Sequence, residues 1–434
     1  MSTSSQRNLR FLPASRRSSP SRAKGRPGAG TGGGGGKPVS TRIGIFGQFG
    51  SGNLGNDGSM ESFLGFLRAD RPGAELVSIC HTPELIGERF SIPTVPIRPQ
   101  LPGSPLFRGV NKLLLGAPNR LLDLIRAVRI ARGFDVILVP GTGILDDFGE
   151  RWKDMPYILF NWTLACRLAG TPFAFVSIGA GPIVHPFSRW LMKSAARMAH
   201  YRSYRDEQSK RYMAGIGLDR PGDRVTPDLA FRLPLPEKRN AASAKPMIGL
   251  GMMGYSGWKH AQADGEAIYR AYIAKMAAFG KWLLDGGYGV RLIVGDKGDR
   301  QAVLDVGAAL AKRPGTAAGD VIAEPAESLT DVMRQIAETE LLVATRFHNV
   351  VCGLMVGKPV ISIGYARKND VLLAEAGLAD FCQHIERLDV DALKLQFEQL
   401  MRDRDRHIPE ITAMAANYRS ALAEQEQQML RELF

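Results

Sequence analysis

From residue 42 to residue 363, short apolar runs with the length of buried strands alternate with segments whose apolar residues recur at helical spacing. The alternation stops in a polar, proline-containing passage at 233–246 and then starts again. Alternating strands and helices predict a parallel sheet with helices on both faces, and two blocks of them predict two such domains. The length of 434 residues agrees, because it exceeds what one hydrophobic core usually supports.

The predicted elements set the domain boundaries. In the first block we expect strands at 42–49, 74–80, 134–140, 173–178 and 201–204, and a further strand that Thr226-Pro227-Asp228 closes. Helices of this block are expected near 60–67, 119–131, 157–168, 187–198 and 207–214. In the second block we expect strands at 247–253, 289–294, 340–344 and 359–363, and helices near 265–284, 300–311, 329–337 and 348–356. The prediction is an α/β chain with Rossmann-like domains at 42–240 and 246–388, facing a central cleft as in the GT-B class. Helices at 389–434, with apolar faces on either side of Pro409, are expected to pack over the domains.

The basic charge of the chain is concentrated at its start. The formal net charge is +13, but residues 1–41 carry eight Arg or Lys and no acid, so the remainder holds only +5. The Ser, Arg, Pro and Gly composition of 1–41 predicts a disordered, solvated tail. A tail that contacts nucleic acid or an anionic membrane is the alternative. The mildly basic remainder suits phosphorylated or acidic small substrates as well as polyanions. We expect no specific binding of nucleic acid.

Three further patterns bear on location and on metals. No apolar segment follows the basic start, which argues against a secretory leader. The run 156–184 has one charged residue, Arg167, but Gly170, Thr171 and Pro172 divide it into a helix and a short strand, as in buried α/β structure rather than a membrane span. The four cysteines are widely spaced, which fits a cytoplasmic protein, with peripheral contact at the inner face of the membrane left open. The sequence contains no cluster of His, Cys and carboxylates at the spacing of metal ligands, so we expect no metal site.

Residues 345–348 place a permanent cation and a titratable ring where the strand-like run 340–344 gives way to a helix. Ligands collect at the carboxyl ends of strands in open α/β sheets, so Arg346 and His348 should face a crevice. A guanidinium that holds an anion and an imidazole that exchanges protons near neutral pH suit acid/base chemistry on an anionic substrate. A surface Arg and a helix-capping His are the competing interpretation. Cys352, one helical turn further on, is expected to pack rather than to act as a nucleophile.

Glycine-rich turns follow three predicted strands. The first presents backbone N–H groups at the start of a helix, which suits a phosphate, although its spacing matches neither the nicotinamide fingerprint nor the Walker pattern. Turns needed only for backbone geometry are the alternative. The candidate binding residues of these turns are Gly50, Gly52, Asn53, Gly55, Gly141, Gly143 and Gly179. Arg205, after 201–204, and Lys368, after 359–363, add cations at two more strand ends, or remain surface charges.

Four motifs follow one another along the chain. They are Gly50-Ser51-Gly52-Asn53-Leu54-Gly55, Tyr204-Arg205-Asp206-Glu207-Gln208-Ser209, Thr226-Pro227-Asp228, and Arg346-Phe347-His348 with Gly357-Lys358-Pro359-Val360-Ile361. Their order and spacing resemble those of the polysaccharide pyruvyl transferases, from about residue 42 to residue 385. One position departs from the family: Asn56 precedes Asp57, and Gly58 stands where an acid is common, which leaves the role of Asp57 open.

The resemblance implies a GT-B-like fold and a defined reaction. The enolpyruvyl carbons of phosphoenolpyruvate pass to two hydroxyls of a sugar in a cell-surface or exopolysaccharide precursor, giving a cyclic pyruvate ketal and phosphate, with no cofactor. By motif position, His348 is the expected acid/base residue, and Arg205, Arg346 and Lys368 are expected to hold the donor. The expected partners are phosphoenolpyruvate and a glycan or lipid-linked saccharide acceptor.

Two other functions stay open. A nucleotide-sugar glycosyltransferase of GT-B architecture also uses glycine-rich loops and sets a cation against a diphosphate. A non-catalytic protein recruited through its basic tail to nucleic acid or an anionic membrane is the other. The sequence does not decide which sugar is modified or how many copies of the chain assemble.

Overall fold

The computed structural model describes residues 41–98, 111–114, 116–147, 150–237, 245–257 and 264–434. The tail predicted for 1–41 lies outside these residues, apart from Thr41. Half of the predicted linker, 238–244, also lies outside them, and with it the predicted end of the first domain.

The first sheet of the described residues is parallel throughout, with the strand order β3-β2-β1-β4-β5-β6-β7. Its strands are β1 Arg42–Phe46, β2 Glu75–Cys80, β3 Thr94–Pro96, β4 Val136–Pro140, β5 Phe173–Ile178, β6 Tyr201–Tyr204 and β7 Arg224–Val225. Its helices are α1 Leu54–Asp70, α2 Pro83–Phe90, α3 Ala117–Ala131, α4 Met155–Ala169, α5 Pro186–Met198 and α6 Glu207–Gly215, followed by the 3-10 helix Leu229–Arg232.

The second sheet is also parallel and has the order β10-β9-β8-β11-β12-β13. Its strands are β8 Met247–Gly251, β9 Gly289–Ile293, β10 Val321–Ala323, β11 Leu341–Ala344, β12 Val360–Gly364 and β13 Cys382–His384. The helices of this half are α7 Gly265–Asp285, α8 Arg300–Ala311, α9 Leu329–Ala337, α10 Phe347–Met355 and α11 Arg367–Glu375, and α12 Val390–Leu433 ends the chain. Two doubly wound parallel sheets confirm the predicted fold class.

Both sheets are covered on their two faces, which explains why their central strands appear in the sequence as unbroken apolar runs. In β4, Ile137 and Val139 point to the layer formed by α3, α4 and α5. Val136 and Leu138 point the other way, to α1, in a hydrophobic cluster that continues into the second sheet. The two domains therefore share a core on the α1 side, and α3–α5 form an outer layer.

Most predicted elements are confirmed. The strands at 173–178 and 201–204 and the helices at 300–311 and 329–337 agree residue for residue. Strands β3, β10 and β13 and helices α2 and α11 were not predicted. The three missed strands have three residues each and lie at sheet edges, so they are too short for the sequence pattern to register. Strand β1 ends at Phe46 rather than at 49, because the chain turns at Gly47.

The strand order reverses at one point in each sheet. In the first sheet this switch point lies between β1 and β4, and in the second between β8 and β11. Loops that leave neighbouring strands at such a point diverge and open a crevice. The candidate residues follow the carboxyl ends of β1, β4, β5, β6, β11 and β12, so the fold gathers them at two facing sheet edges.

The C-terminal helix α12 connects the two halves. It runs for 44 residues and continues through Pro409, so the apolar faces predicted on either side of that proline belong to one helix. Phe397 packs among Phe279, Trp282 and Tyr288 of the second domain. Near the other end of α12, Glu426 forms an ion pair with Arg232 of the first domain. Helix α12 therefore contacts both halves of the chain.

The run 156–184 forms helix α4 and strand β5, which confirms its interpretation as buried α/β structure. Among the described residues, no helix has both the length and the apolar character that crossing a bilayer demands.

Candidate active site

The first glycine-rich turn makes contact between the domains. Asn53 and Asp296 form an isolated antiparallel β-bridge, and the N–H of Lys297 donates to the carbonyl of Gly52 over 3.0 Å. Gly52 has a φ of +100°, in the region that favours glycine. The backbone of this turn therefore docks onto the loop that follows β9.

The start of α1 supports the imidazole of His348. Asn53 caps the helix, because its Oδ1 accepts from the N–H groups of Gly55 over 3.0 Å and Asn56 over 3.2 Å. Gly55 then lies directly against the ring. A Cβ added at residue 55 would stand 1.9 Å from Nδ1 of His348 and 2.2 Å from Cε1. The absence of a side chain at residue 55 is thus a condition for the observed position of the imidazole.

On its other nitrogen, His348 faces a buried carboxylate. Nε2 lies 3.6 Å from Oδ2 of Asp228, and neither atom makes a hydrogen bond to another described residue. Oδ1 of Asp228 accepts from the N–H of Ala230 over 3.0 Å, which fixes the carboxylate at the start of the 3-10 helix. Burial raises the pKa of Asp228, but the neighbouring His348 and Arg205 outweigh it, and the pKa lies below its ordinary value. At neutral pH a carboxylate therefore stands beside the imidazole.

The guanidinium of Arg205 lies on the same carboxylate oxygen, with Nη1 3.7 Å from Oδ2 of Asp228. Its Nε is 3.4 Å from Oδ2 of Asp206. The group covers the ring of Phe347, with Cζ 4.9 Å from the centroid, and packs on Gly179, where an added Cβ would stand 2.5 Å from Cζ. The first domain thus contributes a cation next to the second domain's His348.

Lys368 approaches the same ring. Its Nζ lies 5.4 Å from the centroid of Phe347 and 5.1 Å from that of Tyr365. Burial raises the pKa of Tyr365, but Lys368, Arg346 and Arg205 outweigh it, and the pKa is lowered. The phenol of Tyr365 therefore lies close enough to Lys368, Arg346 and Arg205 for each cation to lower its pKa. These are the three cations that the sequence predicts for donor binding. Arg205, Asp228, Phe347 and Lys368 line one common pocket.

Arg346 forms an ion pair with Asp299, which the sequence does not predict. Its Nε and Nη2 donate to the two carboxylate oxygens of Asp299 over 2.8 and 2.7 Å, and Asp299 is fully buried. Burial lowers the pKa of Arg346, but Asp299 outweighs it, and the pKa is raised. The ion pair holds Arg346 at the predicted strand end and leaves Nη1 as the guanidinium nitrogen outside the pair. Donor binding by Arg346 remains a prediction.

The other glycines serve the frame of the site. Gly50 has a φ of +75°, and its N–H donates to Oδ1 of Asp57 over 2.8 Å. Oδ2 of Asp57 accepts from Arg89 over 2.9 Å. The role of Asp57 that the sequence leaves open is therefore to hold the turn.

Gly141 and Gly143 differ in their distance from the candidate site. Gly141, with a φ of +52°, accepts at its carbonyl from Oγ of Ser59 over 2.9 Å, which packs this turn against α1. A Cβ added at Gly143 would stand 4.0 Å from Nη2 of Arg205. Gly143 therefore lies next to Arg205 at the cleft, whereas Gly141 holds the turn against α1 on the side away from Arg205.

Two residues outside the predicted set belong to the arrangement. Asp228, which ends the third of the four motifs, lines the pocket and also caps the 3-10 helix Leu229–Arg232. Its signal is a carboxylate at the same sheet edge as Arg205. Phe347 lies between the predicted Arg346 and His348 and carries two cations on its ring. Cys352 is fully buried and burial raises its pKa, which confirms that it packs.

Comparisons with known proteins add to this geometry. A sequence model of the family described as polysaccharide pyruvyl transferase matches residues 53–367. Among curated proteins, no sequence matches the chain.

Solved structures of low identity share the fold. The chain superposes on the Staphylococcus aureus MnaA–UDP co-structure with a TM-score of 0.58 at 10% identity, covering 91% of this chain and 98% of the other. UDP-GlcNAc 2-epimerase from Neisseria meningitidis bound to UDP-GlcNAc gives a TM-score of 0.55 at 10% identity, covering 90% of this chain and 100% of the other. The glycosyltransferase SnogD from Streptomyces nogalater gives a TM-score of 0.51 at 15% identity, again covering 90% of this chain and 100% of the other. These likenesses show the two-domain GT-B fold.

Proposed function

Because the chain belongs to the polysaccharide pyruvyl transferase family, we propose that it transfers the enolpyruvyl carbons of phosphoenolpyruvate onto two hydroxyls of a sugar, releasing phosphate and leaving a pyruvate ketal. The observation that carries the proposal is the meeting of His348 with Asp228 and Arg205 across the domains, at 3.6 and 3.7 Å from one carboxylate oxygen. We propose a glycan or lipid-linked precursor of a cell-surface polysaccharide as the acceptor, and a cytoplasmic location in keeping with four free cysteines.

Donor binding is assigned to the cations of the pocket. Phosphoenolpyruvate carries a phosphate and a carboxylate, so at least two cations are needed to hold it. Arg205 from the first domain and Lys368 from the second flank Phe347 and are suited to this task. Nη1 of Arg346 is a third candidate. The proposal needs no cofactor, because the donor itself carries the leaving group.

Proton transfer is assigned to His348. Protonation of the methylene carbon makes C2 of the donor electrophilic, and the first sugar hydroxyl forms a bond to C2 as its own proton leaves. Cleavage of the bond between C2 and the phosphate oxygen, and attack by the second hydroxyl, complete the ketal. One of the two hydroxyl protons makes up for the proton added to the methylene carbon, which becomes a methyl group. The other leaves on the released phosphate. An imidazole that gives up a proton and takes one back fits this sequence.

Asp228 is assigned to charge stabilisation of His348. Its lowered pKa keeps it ionised, so it can stabilise the imidazolium without competing for the proton. The sign of its contribution to stability follows from the same shift. Stability from Asp228 is present above the pKa of the unfolded carboxyl group and is lost as the pH falls through the lower pKa of the folded state.

The test measures phosphate release from phosphoenolpyruvate with a panel of glycan acceptors and identifies the product by mass spectrometry. We expect His348→Ala to lower turnover by about a hundred- to ten-thousand-fold, the usual worth of a positioned acid/base residue, while the protein stays folded. His200→Ala is the control, because His200 is exposed at the start of β6, away from the carboxyl ends of the strands. Full activity of His348→Ala on an acceptor that the wild type modifies would remove His348 from the mechanism.

The GT-B neighbours make a nucleotide-sugar glycosyltransferase the second candidate, since solved relatives of this fold include a glycosyltransferase and proteins bound to UDP or UDP-GlcNAc. Thermal stabilisation by UDP-sugars, with none by phosphoenolpyruvate, would favour that function over ketal formation.

A further inference from the structure

An aromatic patch lies on the outer layer of the first domain, away from the core that the two domains share. We define it as Trp152, Phe160, Phe187 and Trp190. The rings of Phe187 and Trp190 stack with centroids 5.7 Å apart. Trp152 lies 5.1 Å from Phe187, and Phe160 lies 5.4 Å from Trp190, so the four rings are continuous.

The aromatic patch is open to solvent at its centre. Trp190 is 50% exposed, Phe187 is 42% exposed, and the preceding Val184 is 64% exposed. Leu121 and Ile125 on α3 add exposed aliphatic surface to the same layer of helices. Single exposed apolar residues are ordinary, but a connected group of large rings marks a surface that binds something apolar.

The helices that carry the aromatic patch are strongly basic. Helices α3, α4 and α5 together hold seven Arg or Lys and one Asp; they are Arg120, Asp123, Arg126, Arg129, Arg167, Arg189, Lys193 and Arg197. These three helices carry a net charge of +6, against +5 for the whole of residues 42–434, so the rest of that range is close to neutral. The guanidinium of Arg120 also lies 4.9 Å from the ring of Trp152, which joins charge and aromatic surface.

Two acids near the patch make contacts of their own. Asp154 pairs with Arg151 over 3.0 Å. Asp147 accepts from the N–H groups of Val184 and His185, each over 2.8 Å, and so supports the loop that presents the patch. Stacked Trp and Phe rings bordered by Arg and Lys are the composition of surfaces that rest in the headgroup region of an anionic bilayer.

The aromatic patch begins close to the cleft. Gly179, on which Arg205 packs, precedes Val184 by five residues, and Leu145 bridges to Ala180 between them. The loop that follows β5 thus begins at the candidate active site and ends at the aromatic patch.

We propose that the aromatic patch docks the first domain on an anionic lipid bilayer, with Phe187 and Trp190 among the headgroups and the basic residues of α3–α5 on lipid phosphates. Docking itself does not depend on the reaction. If the proposed function holds, docking also places the cleft next to the saccharide of a lipid-linked acceptor.

The test uses the full chain with vesicles of phosphatidylcholine alone or mixed with phosphatidylglycerol. We expect binding to the mixed vesicles, and at least about a tenfold loss of binding in Phe187→Ser/Trp190→Ser, because two large apolar side chains are removed. Leu395→Ser is the matched control, since Leu395 is 68% exposed on α12, far along the chain from the patch, and should leave binding unchanged.

A second readout separates the aromatic patch from the basic tail at 1–41, which also attracts anionic lipid. Brominated phosphatidylcholine in the mixed vesicles should quench wild-type tryptophan fluorescence, and Trp190→Phe should lose most of that quenching. Equal quenching in both proteins, or unchanged binding of the double serine variant, would overturn the proposal. So would a wild type that ignores the vesicles but forms dimers that the double variant does not form.

Discussion

At the scale of single residues, Gly55 determines where the imidazole of His348 lies. The ring occupies the space that a side chain at residue 55 would need, and Asn53 fixes the backbone of Gly55 by accepting its N–H. An arrangement of side chains that spans two domains thus depends on the absence of a side chain at residue 55.

We expect Gly55→Ala to move His348 and lower turnover by about a hundredfold or more, comparable to losing a positioned acid/base group. Gly65→Ala is the control on the same helix, because a Cβ at Gly65 meets nothing within 4 Å. It should keep full turnover and raise the free energy of unfolding by about 0.5–1 kcal/mol. Steady-state kinetics and urea unfolding of both variants check this, and a folded Gly55→Ala protein with wild-type turnover would contradict it.

The residue scale also shows where sequence interpretation stops. Strand-end positions of Arg205, Arg346 and Lys368 follow from the alternation of elements, and all three lie at the expected edge. The pairing of Arg346 with Asp299 does not follow, because the partner is 47 residues away and nothing local indicates it. Truncating Arg346 would leave the buried carboxylate of Asp299 unpaired and lower the free energy of unfolding by about 3–5 kcal/mol. An effect of such a variant on ligand binding therefore has to be distinguished from its loss of stability.

At the scale of elements, the end of α12 supports the loop that carries Asp228. Gln425 is buried, its Nε2 donates to Oγ of Ser177 over 2.9 Å, and its Oε1 accepts from the hydroxyl of Thr226. Ser177 has a φ of +53°, a strained backbone for a residue with a side chain. Thr226 precedes Asp228 by two residues, so α12 supports the backbone next to the proposed acid/base pair.

We expect Gln425→Leu to lower the free energy of unfolding by about 1–3 kcal/mol, because it removes the hydrogen bonds that Gln425 makes to the buried hydroxyls of Ser177 and Thr226. Turnover should fall as well, with little change in KM, since the altered loop carries the proton-handling carboxylate rather than the donor-binding cations. Gln427→Leu, exposed two residues further on, should stay within about 0.5 kcal/mol of wild type. Urea unfolding and kinetics measure both effects. Equal behaviour of the two variants would speak against this supporting role.

At the scale of the whole molecule, the cations that we propose for donor binding come from both domains. Arg205 and Lys368 flank the ring of Phe347 from separate sheets. A dianionic ligand between them ties the domains together, so its binding should stabilise the entire fold.

We expect phosphoenolpyruvate to raise the melting temperature of the wild type, and both Arg205→Ala and Lys368→Ala to reduce that rise. A tenfold weaker affinity removes about 1.4 kcal/mol of ligand stabilisation at saturating donor. Lys394→Ala is the control, because Lys394 pairs with Asp391 on α12 over 2.7 Å, outside the cleft. Differential scanning fluorimetry with and without donor gives each difference; an undiminished rise in both cleft variants would refute the assignment.

The sequence predicts the architecture well because buried strands in parallel sheets leave long, unambiguous apolar runs. It misses edge strands of three residues and the packing of α12 on Ser177 and Thr226, which depends on a contact 248 residues away in the chain. It also leaves the aromatic patch unnoticed, because exposure of Phe187 and Trp190 is a property of the folded surface.

His348 and Asp228 come from different domains, so their contact depends on how one domain is placed against the other. The hydrophobic core that the two domains share, together with α12, which packs on both of them, fixes that placement. Under the proposed function, a substitution in this common core would therefore change turnover from a distance, without altering any side chain of the cleft.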